Sequence, residues 1–271
     1  MNYLDELRRE LARVGIGGAR AARIVEELAD HLACDPDADL GSPRLVAERF
    51  ADELGLAGTR RAAKLGFGAL ALVAALLAAA AADARYPQHV HDARAVALTG
   101  LLLFASAQVA FVAGVLALVR GLRRSLSGAE RRLVLRRTSV ALGAGAVTCC
   151  ALLVHGSVFR PMPSAWIALT LAAGAVPLPF LGYAASSVRA AARLTPPGGR
   201  APGLSRDLPG PLGRHARAVL ATLVVAAVGL VVVQGAFFER SASEGPSRGL
   251  VELAGLALGT AVLGRVLGLF S

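Results

Sequence analysis

Apolar and polar positions divide the chain into two regimes. Over residues 3–14 the apolar positions Leu4, Leu7, Leu11 and Val14 recur at helical spacing, with Asp5, Glu6, Arg8, Arg9 and Glu10 outside the stripe. Gly15, Gly17 and Gly18 interrupt that helix. A second amphipathic helix is predicted over 19–34, with Ile24, Val25, Leu28 and Leu32 on its apolar side. Asp35–Gly41 is polar, and Ser42-Pro43 has the form of an N-cap followed by the first helical position. The helix it starts carries Val46, Phe50 and Leu54 at four-residue spacing. Three short amphipathic helices can bury one small core, so residues 1–60 are expected to form a helical head.

After Lys64 the periodicity gives way to continuous apolar runs. A membrane-crossing helix needs about 20 mostly apolar residues. Six such runs are present, at about 65–82, 95–119, 138–158, 164–188, 216–238 and 249–270. None has the polar face that a helix of a water-soluble bundle presents. The expected fold is therefore all-α: a small three-helix domain over 1–60, then a six-helix transmembrane bundle over 61–271.

Charge fixes the expected orientation. Twelve acidic and eight basic residues fall in 1–60, net −4; the remainder holds 21 basic and seven acidic residues, net +14. All the basic residues except Lys64 are arginine. Cytoplasmic loops carry the excess of Lys and Arg. Arg60, Arg61 and Lys64 precede the first run, and Arg120, Arg123, Arg124, Arg131, Arg132, Arg136 and Arg137 stand between the second and third. Arg189, Arg193, Arg200, Arg206 and Arg214 stand between the fourth and fifth, with Arg217 just inside the fifth. The other three connections hold few cations, or cations balanced by acids. The alternation predicts a multi-pass protein with both termini cytoplasmic. The first 60 residues lack the apolar core of a secretory signal, so the head is expected to stay in the cytoplasm. With 18% charged and 55% hydrophobic residues, the composition excludes a soluble enzyme and a disordered chain. Direct nucleic-acid binding is not expected, because the arginines lie between apolar runs with no aromatic platform beside them.

The head also bears a family resemblance. Tyr3-Leu4-Asp5-Glu6-Leu7, then Glu26-Glu27-Leu28-Ala29-Asp30-His31-Leu32, then Ser42-Pro43 with Glu48-Arg49-Phe50 resemble the HAAS signalling domain and the similar permease prefix domain. The resemblance covers about residues 2–58, and the Gly15–Gly18 joint replaces the charged or proline-containing turn common there. It implies a bacterial inner-membrane protein with a cytosolic helical head. The expected role is non-enzymatic and signalling or regulatory, with a PadR-like transcription regulator as a cytoplasmic partner. The alternative it implies is a permease subunit of an ABC-type exporter working with a separate ATPase.

Candidate chemistry is sparse. His89, His91 and Asp92 form a His-x-His-Asp group able to hold a transition metal, although most such short polar loops are simply solvated. Asp35-Pro36-Asp37-Ala38-Asp39 begins like a calcium loop, but Leu40 stands where glycine is needed and Val46 where the bidentate glutamate is needed. His31 and Cys34 read as packing residues, and Cys149 and Cys150 as small apolar ones. Glu252, Arg265 and His155 lie at span edges, where they anchor; Gln108 and Gln234 lie deeper. Pro177 and Pro179 kink the fourth run. Gly255, Gly259, Gly264 and Gly268 have the spacing of close helix packing in the sixth. The arginine-rich stretch Arg120–Arg137 is expected to face the inner leaflet and its anionic lipids. No acid, base and nucleophile converge on a nameable constellation, and no cofactor is expected.

Overall fold

The computed structural model describes residues 2–35, 38–82, 93–158, 164–195, 254–255 and 257–265. The expected fifth span at 216–238, the loop bearing His89, His91 and Asp92, and Gly268 lie outside them. Among the described residues seven helices are assigned: α1 (Tyr3–Arg13), α2 (Gly18–Cys34), α3 (Pro43–Ala82), α4 (Ala93–Gly121), α5 (Gly128–Val158), α6 (Ser164–Ala175) and α7 (Pro177–Arg193). A further helical stretch covers 254–255 and 257–265. No strand occurs among the described residues.

Local chemistry explains the ends of the head helices. Asn2 caps α1, its side chain accepting from the Leu4 amide. At the other end Gly15 has φ +86°, a left-handed conformation in which a Cβ is penalised. The Ile16 amide then donates to the Leu11 carbonyl at 2.8 Å and the Gly15 amide to Ala12 at 3.1 Å. This is a Schellman closure, and it includes the expected apolar contact, since Leu11 and Ile16 are both buried. Ser42 caps α3, accepting from the Leu45 amide, with Pro43 as the first helical residue.

α1, α2 and the first turns of α3 share one apolar cluster. Leu7, Leu11, Ile16, Ile24, Val25 and Val46 are buried in it, with Phe50 and Leu54 packed against it. The cluster has one outside member, Leu194, from the residue that follows α7. His31 and Cys34, expected to pack, are exposed instead. The last turn of α2 runs past the cluster, whose α2 members stop at Leu28.

The largest departure from expectation is α3. It has 40 residues and joins the third helix of the head to the first apolar run without a break. The expected domain boundary at residue 60 therefore falls inside a helix. α5 likewise begins ten residues before the expected start at 138.

The bundle beyond the head is held by small residues in close register. A Cβ on Gly121 would lie 3.1 Å from the Ala63 Cβ, one on Gly114 would lie 2.8 Å from Leu70, and one on Gly145 would lie 2.7 Å from Leu70 and 3.4 Å from Leu181. Together with Gly66 against Thr138 and Gly58 against Ala191, these contacts make α3 and α5 parallel, with α4 and α7 antiparallel to them. α6 crosses α5 where Gly174 meets Leu153 and the Cys149 carbonyl. The pause between α6 and α7 is confined to Val176, and Pro177 is buried.

Among the described residues, three stretches are long and apolar enough to cross a membrane: Leu98–Gly121, Gly128–Val154 and Ile167–Arg193. At about 1.5 Å per residue, the shortest, of 24 residues, extends about 36 Å, more than the roughly 30 Å hydrocarbon layer. Leu98, Phe104, Phe111, Val147, Val154 and Phe180 are all exposed on this part of the molecule. Water does not tolerate so large an apolar surface, whereas lipid does. The three stretches and this exposed apolar surface fit a helical membrane protein.

Candidate functional site at the junction of head and bundle

Several charged side chains of the bundle gather where the head meets it. Asp52, on the head-proximal part of α3, receives Arg131 from the first turn of α5. One guanidinium nitrogen donates to the Asp52 carbonyl at 2.8 Å, and another is paired with the Asp52 carboxylate. The Arg131 side chain is 3% exposed, whereas that of Asp52 is 69% exposed. The clasp is thus dry on the bundle side and wet on the head side.

Two more arginines tie neighbouring elements at this level. Arg60 of α3 donates to the carbonyls of Arg123 at 2.8 Å and Arg124 at 2.6 Å, just past the end of α4. A cation at a helix C-terminus satisfies both the orphan carbonyls and the dipole. Arg120, 1% exposed, meets Glu130 at 2.7 Å across the α4–α5 turn. Glu130 also accepts from the Ser127 amide at 2.9 Å while Ser127 accepts from the Glu130 amide at 3.3 Å, a capping box at the start of α5.

The end of α7 closes the junction from the other side. A Cβ on Gly55 would fall 2.8 Å from an Arg131 guanidinium nitrogen and 3.0 Å from the Leu194 carbonyl; one on Gly58 would lie 3.3 Å from the Ala191 Cβ. Gly55 thus lets α3 approach α5 and α7 at once, beside the point where Leu194 enters the head cluster. Within the head, Arg13 of α1 reaches Glu48 of α3 at 3.2 Å, and Arg44 holds the same carboxylate at 3.0 Å. Chiefly through Arg44, the Glu48 carboxyl is held below its ordinary range.

The seven arginines expected to face the inner leaflet are therefore divided. Arg120, Arg131 and Arg137 are buried, Arg132 is half-buried, and Arg123, Arg124 and Arg136 are exposed. For the buried three the lipid-facing expectation does not hold. The segment 131–137 is not a loop but the opening of α5, so one helical side of it turns toward α3 and α4. Asp52, Glu130 and Leu194 were not picked out by sequence, and Arg60 only as a cation bearing on topology. The Ser127-x-x-Glu130 spacing is a legible signal for one of them; for Asp52 there is none.

The packing glycines fall as follows. Gly255 lies against Leu101 and Phe104 of α4, and Gly259 against Ala105 and Gln108. Gln108 donates to Thr260 at 3.3 Å. Leu263, buried, packs with Val109 and Val112 farther along α4. The stretch 254–265 therefore runs parallel to α4. Gly264 is buried and Arg265 exposed.

Among the described residues no three His, Cys, Asp or Glu side chains gather to hold a metal. Asp39, from the calcium-like segment, instead accepts from the Gly41 amide at 2.9 Å. Cys149 is buried and Cys150 exposed. A cleft of about 320 Å³ between α4 and α5, lined by Thr99, Leu102, Val147, Cys150 and Val154 among others, is almost wholly apolar. Comparisons with protein-family models, curated proteins and solved structures find no match for this chain.

Proposed function

We propose that this chain is a non-enzymatic, multi-pass protein of the bacterial cell membrane that passes a state of its spans to a cytoplasmic protein through its helical head. The observation that carries this reading is mechanical. The head and the first apolar run share one unbroken helix, α3, and the head is pinned to α5 by Arg131 and to the end of α7 by Leu194. A displacement among α3, α5 and α7 therefore moves the head, because packed helices shift as units rather than deform continuously. The resemblance of residues 2–58 to the HAAS domain supports the same role and makes a PadR-like regulator the expected partner.

Six spans with both termini cytoplasmic is the topology we infer. α3, α4, α5 and α7 alternate in direction, and the stretch 254–265 runs parallel to α4, as a sixth span would. Arg60, Arg123, Arg124 and Arg131 gather at the head end, which supports a cytoplasmic head. A reporter fused after Phe238 should be non-cytoplasmic; cytoplasmic activity there would overturn the topology.

The functional test is cross-linking and purification of the tagged full chain from its own cells. A cytoplasmic regulator should be recovered, and charge reversal at exposed Glu26 and Glu27 of α2 should release it. Recovery of an ATPase that survives those substitutions would favour the exporter-permease reading instead.

A further inference from the structure

We infer that the outer side of α3 and the adjoining flank of α7 form a binding site for one anionic phospholipid, its phosphate held by Arg61, Lys64 and Tyr183. Arg61 and Lys64 are three positions apart on α3, on one helical face, and both are exposed. Arg61 crosses to α7 and donates to the Tyr183 hydroxyl at 3.0 Å. That contact uses one of its five N–H donors and leaves the phenol proton available to a second acceptor. Among the described residues no carboxylate pairs with Arg61 or Lys64, so two positive charges stand unneutralised at this spot.

What surrounds the pair identifies the partner. Farther from the head, the same exposed face of α3 continues through Gly68, Ala71 and Ala75, which offer a shallow apolar track. Space beside Gly68 is open, with no atom within 4 Å of a Cβ placed there. On α7, Phe180 and Tyr183 are 54% and 53% exposed on the flank that Arg61 reaches. Cations at one end, half-exposed aromatics beside them and an apolar track beyond match, in order, a phosphate, the glycerol region and an acyl chain. A freely diffusing phosphate would use the cations but not the track.

This inference rests on the chain spanning a membrane and is independent of any signalling role. It is tested on the full chain in zwitterionic detergent by native mass spectrometry, with phosphatidylglycerol and phosphatidylcholine as probes. Retention of one phosphatidylglycerol in preference to phosphatidylcholine is expected. R61Q/K64Q should weaken it by about 25-fold, at roughly fivefold per cation. R23Q, which removes an exposed cation from α2 of the head, should leave it unchanged. Should the double variant not fold, K64Q and Y183F alone decide the matter, each being expected to weaken retention. Equal retention of the two lipids, equal loss in R23Q, unchanged retention in the Arg61, Lys64 and Tyr183 variants, or displacement of the lipid by millimolar inorganic phosphate would each overturn the assignment.

Discussion

Removing either partner of the Arg131–Asp52 clasp should have unequal consequences. In Asp52→Ala the guanidinium stays in a site where its side chain is 3% exposed, and it keeps only the Asp52 main-chain carbonyl. Breaking a fully buried pair this way costs about 3–5 kcal/mol, while breaking an exposed one costs about 0.2–1 kcal/mol. The carboxylate is 69% exposed, so water already screens the pair. A cost of about 1–2 kcal/mol follows, between those two limits. In Arg131→Met the stem volume is kept, the buried charge is gone and Asp52 is left in water, so the cost should fall below about 1 kcal/mol.

The readout is the opening of the head from the end of α7. In a chain whose Cys34, Cys149 and Cys150 are replaced, Leu194→Cys supplies one thiol at the edge of the head cluster. When reclosing outruns labelling, the maleimide rate follows the open fraction. D52A should then raise the rate by about 5- to 30-fold over the parent, and R131M by less than about fivefold. The double variant should match R131M, since no stranded charge remains. Equal rates for D52A and R131M would refute the desolvation argument. Unchanged rates in both would show that the clasp does not hold the head.

Gly15→Ala should destabilise the head by about 1 kcal/mol, because φ is +86° there, whereas Gly17→Ala, at φ −131° with open space around it, should cost no more than about 0.5 kcal/mol; thermal melts followed by circular dichroism compare the two. Ser127→Ala should cost about 1 kcal/mol by opening the capping box of α5, and the exposed Ser125→Ala provides the neutral control in the same denaturation series. Glu48 has a folded pKa below its unfolded value of about 4.3, so its stabilisation is present above that value and is lost as pH falls through the folded one. Wild type should therefore exceed Glu48→Gln slightly in melting temperature at pH 6 and lose that margin below about pH 4; a margin that grows on acidification would refute the assignment.

The head was the more legible half because its signals are local. Helices expected over 3–14 and 19–34 are found at Tyr3–Arg13 and Gly18–Cys34, and Ser42-Pro43 starts α3. Each boundary is set by residues within a few positions of it: a cap, a left-handed glycine, a proline. The absence of a break after Leu54 was not legible. Gly55 and Gly58 have the look of helix breakers, yet each is the point at which another chain segment comes close. A glycine chosen for contact and one chosen for a turn leave the same letter.

The arginines show the same limit on a larger scale. Their number between apolar runs bears on topology, because a cation is costly to move across a bilayer wherever its side chain later settles. That number says nothing about whether the side chain ends in lipid headgroups or inside the protein. Arg131 and Arg136 lie five positions apart in one helix, yet the first is buried and the second exposed. What separates them is Asp52, 79 positions away in the sequence, and the approach of α3 that brings it there. A positive-inside count and a buried clasp are thus compatible uses of one residue type. A buried arginine at the head end still counts toward orientation, and it couples the first turn of α5 to the helix that carries the head. Replacing Arg131 by lysine would keep the charge that orients the chain. It would lose the paired donors that reach the Asp52 carbonyl and carboxylate together. Unchanged topology with a loosened head in that variant would separate the two roles; a head as tightly held as in wild type would show that charge alone suffices.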